Sequence, residues 1–311
     1  MPRLAVIALI LGLLAGCSEP VDTVRIGANR WLGYAPLYLA DDLGWMQQSH
    51  LRLVEYPHTT GVMRGYRNGL LDAALLTLDE ALILQSGGQP VQILLVADVS
   101  AGADVLFAKS SIKQLEQLRG QRIGVEKSAL GAYFLSRILD LAKLNRADVK
   151  VLDMPINEHL AALKNGQIDA AINFASASLD FAALQALPLL DSRALPNEII
   201  DVLVINPQSV DAEQAARLRA LWFTSLKEWQ QQRAGHDQRV ERRLGLSPNE
   251  LDVTLAGLHM GDDAFNEQLL KDGVLQQSMQ RLNQYLFSRQ LQGKPANIRQ
   301  MLPGSCQGDA C

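Results

Sequence analysis

Two aromatic side chains and two carboxylates in the first third of the chain have the types and spacing of a ligand site. Trp31 and Tyr34 follow the apolar run 24–28, which has the length of a buried strand. In α/β folds ligands collect where parallel strands end, so we expect these two rings to form a stacking surface. The alternative is that both rings only pack beneath their own loop, because aromatic side chains are common core residues.

Asp79 and Asp98 are predicted at the ends of neighbouring strands. These carboxylates suit a ligand with an amino or ring N–H group, because a carboxylate left unpaired in a closed cleft is costly. The alternative is that Asp79 caps the helix that follows it, since Asp is a favoured capping residue, and that Asp98 forms a salt bridge at the surface. The sequence leaves both possibilities open.

Predicted helix starts add further candidates, with Thr59 or Thr60 as the N-cap of a helix over 62–70. Unpaired N–H groups at helix starts favour an anion or a carbonyl-rich ring. The combination favours a solute with an acceptor-rich end and an amino end, such as an aminosulfonate or a substituted pyrimidine, over nitrate. The complete set of candidate ligand-binding residues is Trp31, Tyr34, Thr59, Thr60, Thr77, Asp79, Asp98, Ser100, Ser128, Ala129 and Asn173.

The elements that hold these residues alternate between short apolar strands and helices. The order β-α-β-α-β over 24–97 is typical of a parallel sheet with crossover helices. The phrase RNGLLDAA at 67–74 recurs as KNGQIDAA at 164–171, a spacing of 97 residues, which indicates two similar lobes. Helical periodicity after residue 210 places Trp222 and Trp229 in a core, on helices that return to the first lobe.

The first 17 residues have the pattern of a lipoprotein signal peptide. Arg3 precedes the apolar run 4–14, which is too short to span a bilayer as a mature helix. Leu-Ala-Gly-Cys at 14–17 resembles a bacterial lipobox, so we expect residues 1–16 to be removed and Cys17 to carry a lipid. The alternative is an ordinary secretory signal with an incidental cysteine. In a Gram-negative host, Ser18 favours the outer membrane over the inner one.

Composition and missing motifs weigh against several other classes of protein. The chain is 48% hydrophobic and 20% charged, as expected of a folded protein, and its net charge of −4 argues against nucleic acid binding. It has no nucleophile elbow and no phosphate-binding loop, and its five histidines are scattered, so we expect no enzyme, metal or cofactor. In an oxidising compartment Cys306 and Cys311 are candidates for a disulfide.

The stretch 24–45, VRIGANRWLGYAPLYLADDLGW, resembles the start of periplasmic solute-binding proteins. The group concerned is the nitrate/sulfonate/taurine and thiamine-pyrimidine-precursor (SsuA-like) family of ABC transporters, which reads Trp-x-Gly-Tyr-x-Pro at this point. The repeated phrase described above and the sequence GQRIGV at 120–125 match the same family. The resemblance extends over nearly all of the chain after residue 17.

This resemblance implies a two-lobe α/β fold, the type II-like periplasmic-binding-protein fold, in which each lobe is a mixed sheet flanked by helices and two crossing strands form the hinge. We place lobe 1 at 22–106 plus 202–311 and lobe 2 at 107–201. It further implies a monomeric, lipid-anchored periplasmic protein that captures an aminosulfonate, sulfonate or pyrimidine-like solute for an ABC permease in the inner membrane. The alternatives are a membrane-tethered sensory protein that reports a solute to a signalling partner, and a pyrimidine-precursor biosynthetic enzyme.

Overall fold

The structure, a computed structural model, describes residues 22–127 and 129–302. These residues form eleven strands and thirteen α-helices. The strands are β1 (Val24–Asn29), β2 (Leu51–Tyr56), β3 (Ala73–Thr77), β4 (Gln92–Ser100), β5 (Asp104–Lys109), β6 (Arg122–Val125), β7 (Lys150–Asp153), β8 (Ala170–Phe174), β9 (Ala186–Asp191), β10 (Ile200–Ile205) and β11 (Leu258–Met260). The helices are α1 (Ala35–Asp42), α2 (Trp45–Gln48), α3 (Thr59–Arg67), α4 (Leu78–Ser86), α5 (Ala129–Leu141), α6 (His159–Lys164), α7 (Ser178–Ala183), α8 (Ala212–Gln231), α9 (Arg233–Leu244), α10 (Pro248–Ala256), α11 (Asp263–Lys271), α12 (Val274–Ser288) and α13 (Ile298–Met301).

The strands form two mixed sheets, and helices flank each of them. The first sheet has the order β11-β4-β10-β3-β1-β2, and the second has the order β7-β6-β8-β5-β9. β1 runs parallel to β2 and β3, whereas β10 runs antiparallel to β3 and β4. In the second sheet β6 is parallel to β7 and β8, and β5 is antiparallel to β8 and β9. The predicted two-lobe α/β fold is confirmed, and we call the first sheet with its helices lobe 1 and the second lobe 2.

The repeated phrase supplies the aspartate of the same Arg–Asp hydrogen-bonded pair in both lobes, and we call this pair the buttress. Arg25 in β1 donates two side-chain hydrogen bonds of 2.8 Å to Asp72, and its backbone N–H donates a third of 2.9 Å. Arg122 in β6 makes the same three bonds to Asp169, at 2.8–3.1 Å. Each pair fixes the start of a strand to the segment before its parallel neighbour.

The chain crosses between the sheets a few residues earlier than the predicted lobe boundaries. β5 pairs with β8 from its first residue, Asp104, and β10 pairs with β4 from Ile200. Pairing therefore puts 104–106 with the second sheet and 200–201 with the first, the reverse of the predicted bounds. The bend at 101–103, where Gly102 has φ +124°, makes the first crossing, and the apolar run after it already belongs to lobe 2.

One local prediction, the N-cap of the helix after β2, needs correction. α3 begins at Thr59 with His58 as its N-cap, so neither Thr59 nor Thr60 is the cap. The Thr59 hydroxyl instead donates a 2.8 Å hydrogen bond to Glu80, on the neighbouring α4.

The helices after residue 210 pack on lobe 1 as predicted. Trp222 and Trp229 of α8 are fully buried, and each indole N–H donates a hydrogen bond, to Gly261 O at 3.1 Å and to Asp237 Oδ1 at 2.8 Å. Both tryptophans therefore belong to the core. Within residues 22–127 and 129–302 no helix combines the length and the apolar character that a membrane crossing needs. Residues 1–17, with the lipobox, and the two C-terminal cysteines lie outside the described residues.

Candidate functional site

A cavity of about 100 Å³ lies between the two sheets, where strands of both lobes end. Lobe 1 contributes the residues after β1, β2 and β3, together with the start of β10. Lobe 2 contributes the start of β5, the loops after β6 and β7, and the end of β8. The predicted site residues that line it are Trp31, Tyr34, Thr59, Thr77 and Asn173.

Aromatic rings from both lobes form one wall of the cavity. The Trp31 ring, from the loop after β1, lies 4.6 Å from the Phe174 ring at the end of β8, and their planes are tilted by 45°. Trp31 Nε1 donates a 3.2 Å hydrogen bond to Asp98 Oδ2, and the Tyr34 hydroxyl donates one of 2.5 Å to Asp201 Oδ1. The two predicted rings therefore line the cavity and also pack in the core of lobe 1.

Gly33 permits this arrangement because nothing larger fits between the loop and β4. A Cβ atom at this position would lie 1.8 Å from Asp98 Oδ2 and 2.6 Å from Trp31 Nε1. The glycine of the Trp-x-Gly-Tyr motif is thus required by close approach. It lets the loop approach Asp98 closely enough for the Trp31 indole to bond to that carboxyl group.

Five buried carboxyl groups meet at the base of the cavity, and we call them the acid cluster. Asp79 and Glu80 lie in the first turn of α4, Asp98 lies in β4, Asp104 begins β5 and Asp201 lies in β10. Each is between 0% and 3% exposed. Glu80, Asp104 and Asp201 line the cavity itself, and the other two lie behind them. The cluster therefore lies where the chain crosses between the lobes, on β4, β5 and β10, and at the start of α4.

Burial raises the pKa of every member of the acid cluster. The pKa of Glu80 rises to about 8, because of burial and then of the charge on Asp79. Burial raises the pKa of Asp98 to about 7 and those of Asp79 and Asp104 to about 6. The pKa of Asp201 lies well above its ordinary value through burial and the charge of Asp98. The cluster therefore holds protons near neutral pH when nothing else neutralises it.

Hydrogen bonds inside the site satisfy only part of this cluster. Glu80 Oε2 accepts from Thr59 Oγ1 at 2.8 Å and from the backbone N–H of Thr77 at 3.1 Å. Its other oxygen, Oε1, has no hydrogen-bond partner among the described residues, and neither does Asp104 Oδ2. The site therefore presents carboxyl oxygens that a ligand can satisfy.

Contacts across the mouth hold the two lobes together over the cavity. His58 Nδ1, after β2, lies 3.3 Å from Glu126 Oε1, after β6. At the opposite end of the crossing, the Ser100 and Ser192 hydroxyls lie 2.8 Å apart, and the Gly102 N–H donates a 2.6 Å bond to Ser192. The structure is thus in a closed arrangement, with the predicted site residue Ser100 tying the two crossings together.

The remaining predicted residues occupy several different places. Asp79 and Asp98 are buried behind the cavity wall, so Asp98 forms no surface salt bridge, and the N-cap of α4 is Thr77 rather than Asp79. Thr60 is exposed and does not line the cavity. Ser128 lies outside the described residues, and of Ala129 only its place at the start of α5 is described.

Sequence reasoning missed several residues that line the cavity. They are Glu80, Asp104, Glu126, Phe174 and Asp201. Asp201 had a readable signal, because it is the lone carboxylate in the apolar run IIDVLVI at 199–205. Glu80 follows Asp79 directly in the chain, and neighbouring residues on a helix point in different directions. In the structure both residues of the Asp79–Glu80 pair are nonetheless buried, since the two lobes enclose the first turn of α4.

Comparison with protein families decides where this chain belongs, since residues 18–218 match the NMT1-like family. The chain belongs to that family. A comparison with curated proteins gives no match. The resemblance stated from the sequence is therefore confirmed at the level of the family.

Solved structures with the same fold include two proteins named SsuA. The alkanesulfonate-binding protein SsuA of Xanthomonas axonopodis pv. citri, bound to MOPS, is 18% identical, with a TM-score of 0.76, and the match covers 92% of this chain and 99% of that one. The aliphatic sulphonate-binding SsuA of Escherichia coli is 18% identical, with a TM-score of 0.71 and coverage of 90% and 97%. A mutant of DszB in complex with biphenyl-2-sulfinic acid is 16% identical, with a TM-score of 0.65 and coverage of 91% and 97%. At these identities the comparisons establish a shared fold.

Proposed function

We propose that this protein is the solute-binding component of an ABC-type importer and that it closes its two lobes around a small organic solute. The observation that carries the proposal is the cavity between the sheets, which is lined by strand ends of both lobes and closed by the His58–Glu126 contact. Ligands of open α/β sheets bind at such strand ends. A solute bound there contacts both lobes and therefore stabilises their closed arrangement.

The fold comparisons support the same role, because two of the similar structures are named as sulfonate-binding proteins. Of the three solute classes that the sequence indicates, the acid cluster favours those with an amino or ring N–H group, namely aminosulfonates and aminopyrimidines. A simple sulfonate would place its negative charge beside Glu80, Asp104 and Asp201. A sulfonate therefore needs all three carboxyl groups to stay protonated, because like charges in a buried site oppose binding, whereas an N–H group can donate to them in either protonation state.

The cellular setting that we propose follows the signal sequence. Residues 1–16 are removed, Cys17 carries a lipid, and the protein works as a monomer in the periplasm, tethered to a membrane, with the outer membrane favoured by Ser18. Lobe 1 supplies both ends of the chain and lobe 2 the middle. The solute passes from the closed cleft to an inner-membrane permease.

Binding rather than catalysis is supported by the state of the side chains around the cavity. The Thr59 hydroxyl is engaged as a donor to Glu80, and Asn173 Nδ2 donates to Ile156 O, in the loop after β7, at 3.3 Å. Asn173 Oδ1 accepts the Phe174 N–H at 2.8 Å. These hydrogen bonds hold both side chains in fixed positions around the cavity, as a binding site needs.

Calorimetry with a matched pair of phenylalanine variants tests the proposed cleft. Phe174→Ala removes one wall of the cavity and should weaken solute binding at least tenfold, whereas Phe287→Ala, at a side chain that is 48% exposed, should leave it unchanged. Taurine, 4-aminopyrimidine and ethylamine are suitable first solutes. Equal affinities in the two variants would contradict the location of the site.

Small-angle scattering tests the closure, and lipid labelling tests the tether. The radius of gyration should fall when a solute binds, because the lobes open and close about the crossings. A solute that binds tightly and leaves the radius unchanged would refute closure.

Labelled palmitate should enter the wild type and be absent from Cys17→Ser, and incorporation into both would refute the anchor.

A further inference from the structure

We propose that the group recognised at the base of the cleft is a compact organic cation, an ammonium or amidinium, which the acid cluster neutralises. This inference rests on the proposed function and names the chemical class of its solute. It goes beyond the amino-bearing solutes considered so far, because it assigns the selectivity to positive charge and excludes simple sulfonates. Four features of the cleft carry it: the missing counter-charge, the unpartnered oxygens, the walls and the size.

The acid cluster has no positive counterpart among the residues that the structure describes. None of its five members takes part in an ion pair there, and the charges that act on them come from one another. Acidic residues elsewhere in the same fold behave differently, since Asp72 and Asp169 are each held by an arginine. Because an uncompensated buried charge is strongly unfavourable, these five carboxyl groups can ionise together only when a counter-charge comes from outside the chain.

Two unpartnered oxygens lie in residues that line the cavity. Glu80 is 1% exposed and Asp104 is 2% exposed, and in the described part of the chain each has one carboxyl oxygen without a hydrogen-bond partner. Glu80 comes from lobe 1 and Asp104 from lobe 2. A donor group placed between them would therefore bond to both lobes at once and favour closure.

The walls suit a cation better than an anion. The rings of Trp31, Tyr34 and Phe174 line the cavity, and aromatic faces attract ammonium and guanidinium groups. Two of the lining residues can carry positive charge: Arg30 is exposed, and His58 lies 3.3 Å from Glu126. A sulfonate at the base of the cavity would therefore meet carboxyl groups with no buried cation from the described lining beside it.

The size of the cavity and its geometry favour an organic cation over a metal ion. A cavity of about 100 Å³ accommodates a head group of several heavy atoms. Across the ranges 22–127 and 129–302, no group of three or more histidine, cysteine, aspartate or glutamate residues is arranged to hold a metal ion. The carboxyl groups are spread over one helix and three strands, as suits several N–H donors on one planar or tetrahedral cation.

Proton release is the signature of this mode of binding. The pKa values of Glu80, Asp98 and Asp104 lie at about 8, 7 and 6, so these groups hold protons in part at pH 7 in the empty cleft. A cation among them favours the ionised form, and protons leave as it binds. The other titratable or charged groups that line the cleft are Arg30, Tyr34, His58, Glu126 and Asp201, with Asp79 behind Glu80.

Matched probes that differ only in charge decide the proposal. We would titrate the full mature protein with ethylammonium and ethanesulfonate, with benzamidinium and benzenesulfonate, and with taurine as the zwitterion. The cations should bind at least tenfold more tightly than the sulfonates of the same skeleton. Calorimetry at pH 7 in buffers of different ionisation enthalpy should show net proton release for the cations.

Two variants with a control assign the effect to named residues. Glu80→Gln and Asp104→Asn should each weaken benzamidinium at least tenfold, while Glu213→Gln, at an exposed position on α8 that is 82% accessible, should change nothing. Circular dichroism checks that each variant folds, and the wild-type probe pairs give the answer even if one does not.

The outcomes separate the two proposals. Sulfonates that bind more tightly than their cationic partners would overturn the inference and leave the solute-binding role in place. Binding of Ca²⁺ or Zn²⁺ at micromolar concentration that displaces benzamidinium would overturn the organic cation in favour of a metal ion. Failure of every probe to bind counts against the cation and the cleft together.

Discussion

The two lobes share an Arg–Asp pair near the start of their central strands and differ in the residues that follow the strands. Arg25 with Asp72 in lobe 1 and Arg122 with Asp169 in lobe 2 stand 97 residues apart and make the same three hydrogen bonds. Each arginine lies near the start of the central strand of a parallel trio. The repeat that the sequence displays is therefore a structural buttress, and it carries no cleft chemistry of its own.

The strand ends that follow the buttress are different in the two lobes. β3 leads into Thr77-Leu78-Asp79-Glu80, whereas β8, 97 residues later, leads into Phe174-Ala175-Ser176-Ala177. Lobe 1 thus presents carboxyl groups to the cleft where lobe 2 presents an aromatic ring and small residues. The repeated positions therefore hold the scaffold, and we propose that the positions outside the repeat determine what the cleft binds.

The largest expected effect is a pH dependence that has opposite signs for the two kinds of acid. In the acid cluster the folded pKa values are raised, so between pH 5 and 8 the folded state binds more protons than the unfolded state. The free energy of unfolding should therefore fall, by on the order of 3 kcal/mol, as the pH rises across this window. Chemical denaturation at a series of pH values measures it.

The Arg-paired acids should give the opposite slope at lower pH. Hydrogen bonds from Arg25 and Arg122 lower the pKa values of Asp72 and Asp169, so the stability they supply is complete above about pH 4 and is lost on acidification below it. Glu80→Gln should flatten the decline between pH 5 and 8 without changing the acid limb. A decline that survives in this variant with its full slope would show that Glu80 is not its main source.

Gly33→Ala should have the next largest effect. The added Cβ would lie 1.8 Å from Asp98 Oδ2, so the loop must move, and we expect a loss of about 3 kcal/mol in the free energy of unfolding. Gly235→Ala is the matched control, because it lies inside α9 with nothing within 4 Å of the new Cβ. It should raise the free energy of unfolding by up to about 1 kcal/mol, and a loss as large as that of Gly33→Ala would contradict the close-approach argument.

Removing the two buttress aspartates should show how far the lobes are alike. Asp72→Ala should cost about 1 kcal/mol, since its arginine partner is 39% exposed and water weakens the pair. Asp169→Ala should cost more, about 2 kcal/mol, because Lys109 Nζ also donates to Asp169 at 2.7 Å. Urea midpoints of the two variants measure the difference, and a larger loss for Asp72→Ala would reverse the comparison.

The smallest effects should be equal in the two lobes. Gly69 and Gly166 have φ of +67° and +66°, and a Cβ at either position meets nothing within 4 Å. Alanine at either site should therefore cost only the left-handed backbone strain, about 1 kcal/mol. Thermal unfolding of both variants should give the same shift, and a twofold difference would show that the repeat is less regular than these backbone angles indicate.

Local patterns in the sequence were sufficient to predict the fold class and the scaffold. Period and length of the apolar runs predicted alternating strands and helices, and the repeated Gly-x-x-Asp phrase indicated two lobes, because such features depend on local propensity and burial. It also placed Trp31 and Tyr34 at the cleft, since both follow a strand end in a motif that resembles a known family. The indole spacing in α8 identified Trp222 and Trp229 as core residues in the same way.

Which carboxyl groups face one another depends on long-range contacts that form only in the folded chain. Asp104 and Asp201 lie 97 residues apart in chain order but at the two crossings in space, and Glu80 joins them because α4 begins at the same edge of the sheet. The pairing of β5 with β8 places Asp104, and the pairing of β10 with β4 places Asp201. No local pattern encodes a register between distant strands. Burial raises the pKa values of these groups, and they become buried only once both lobes have folded over them.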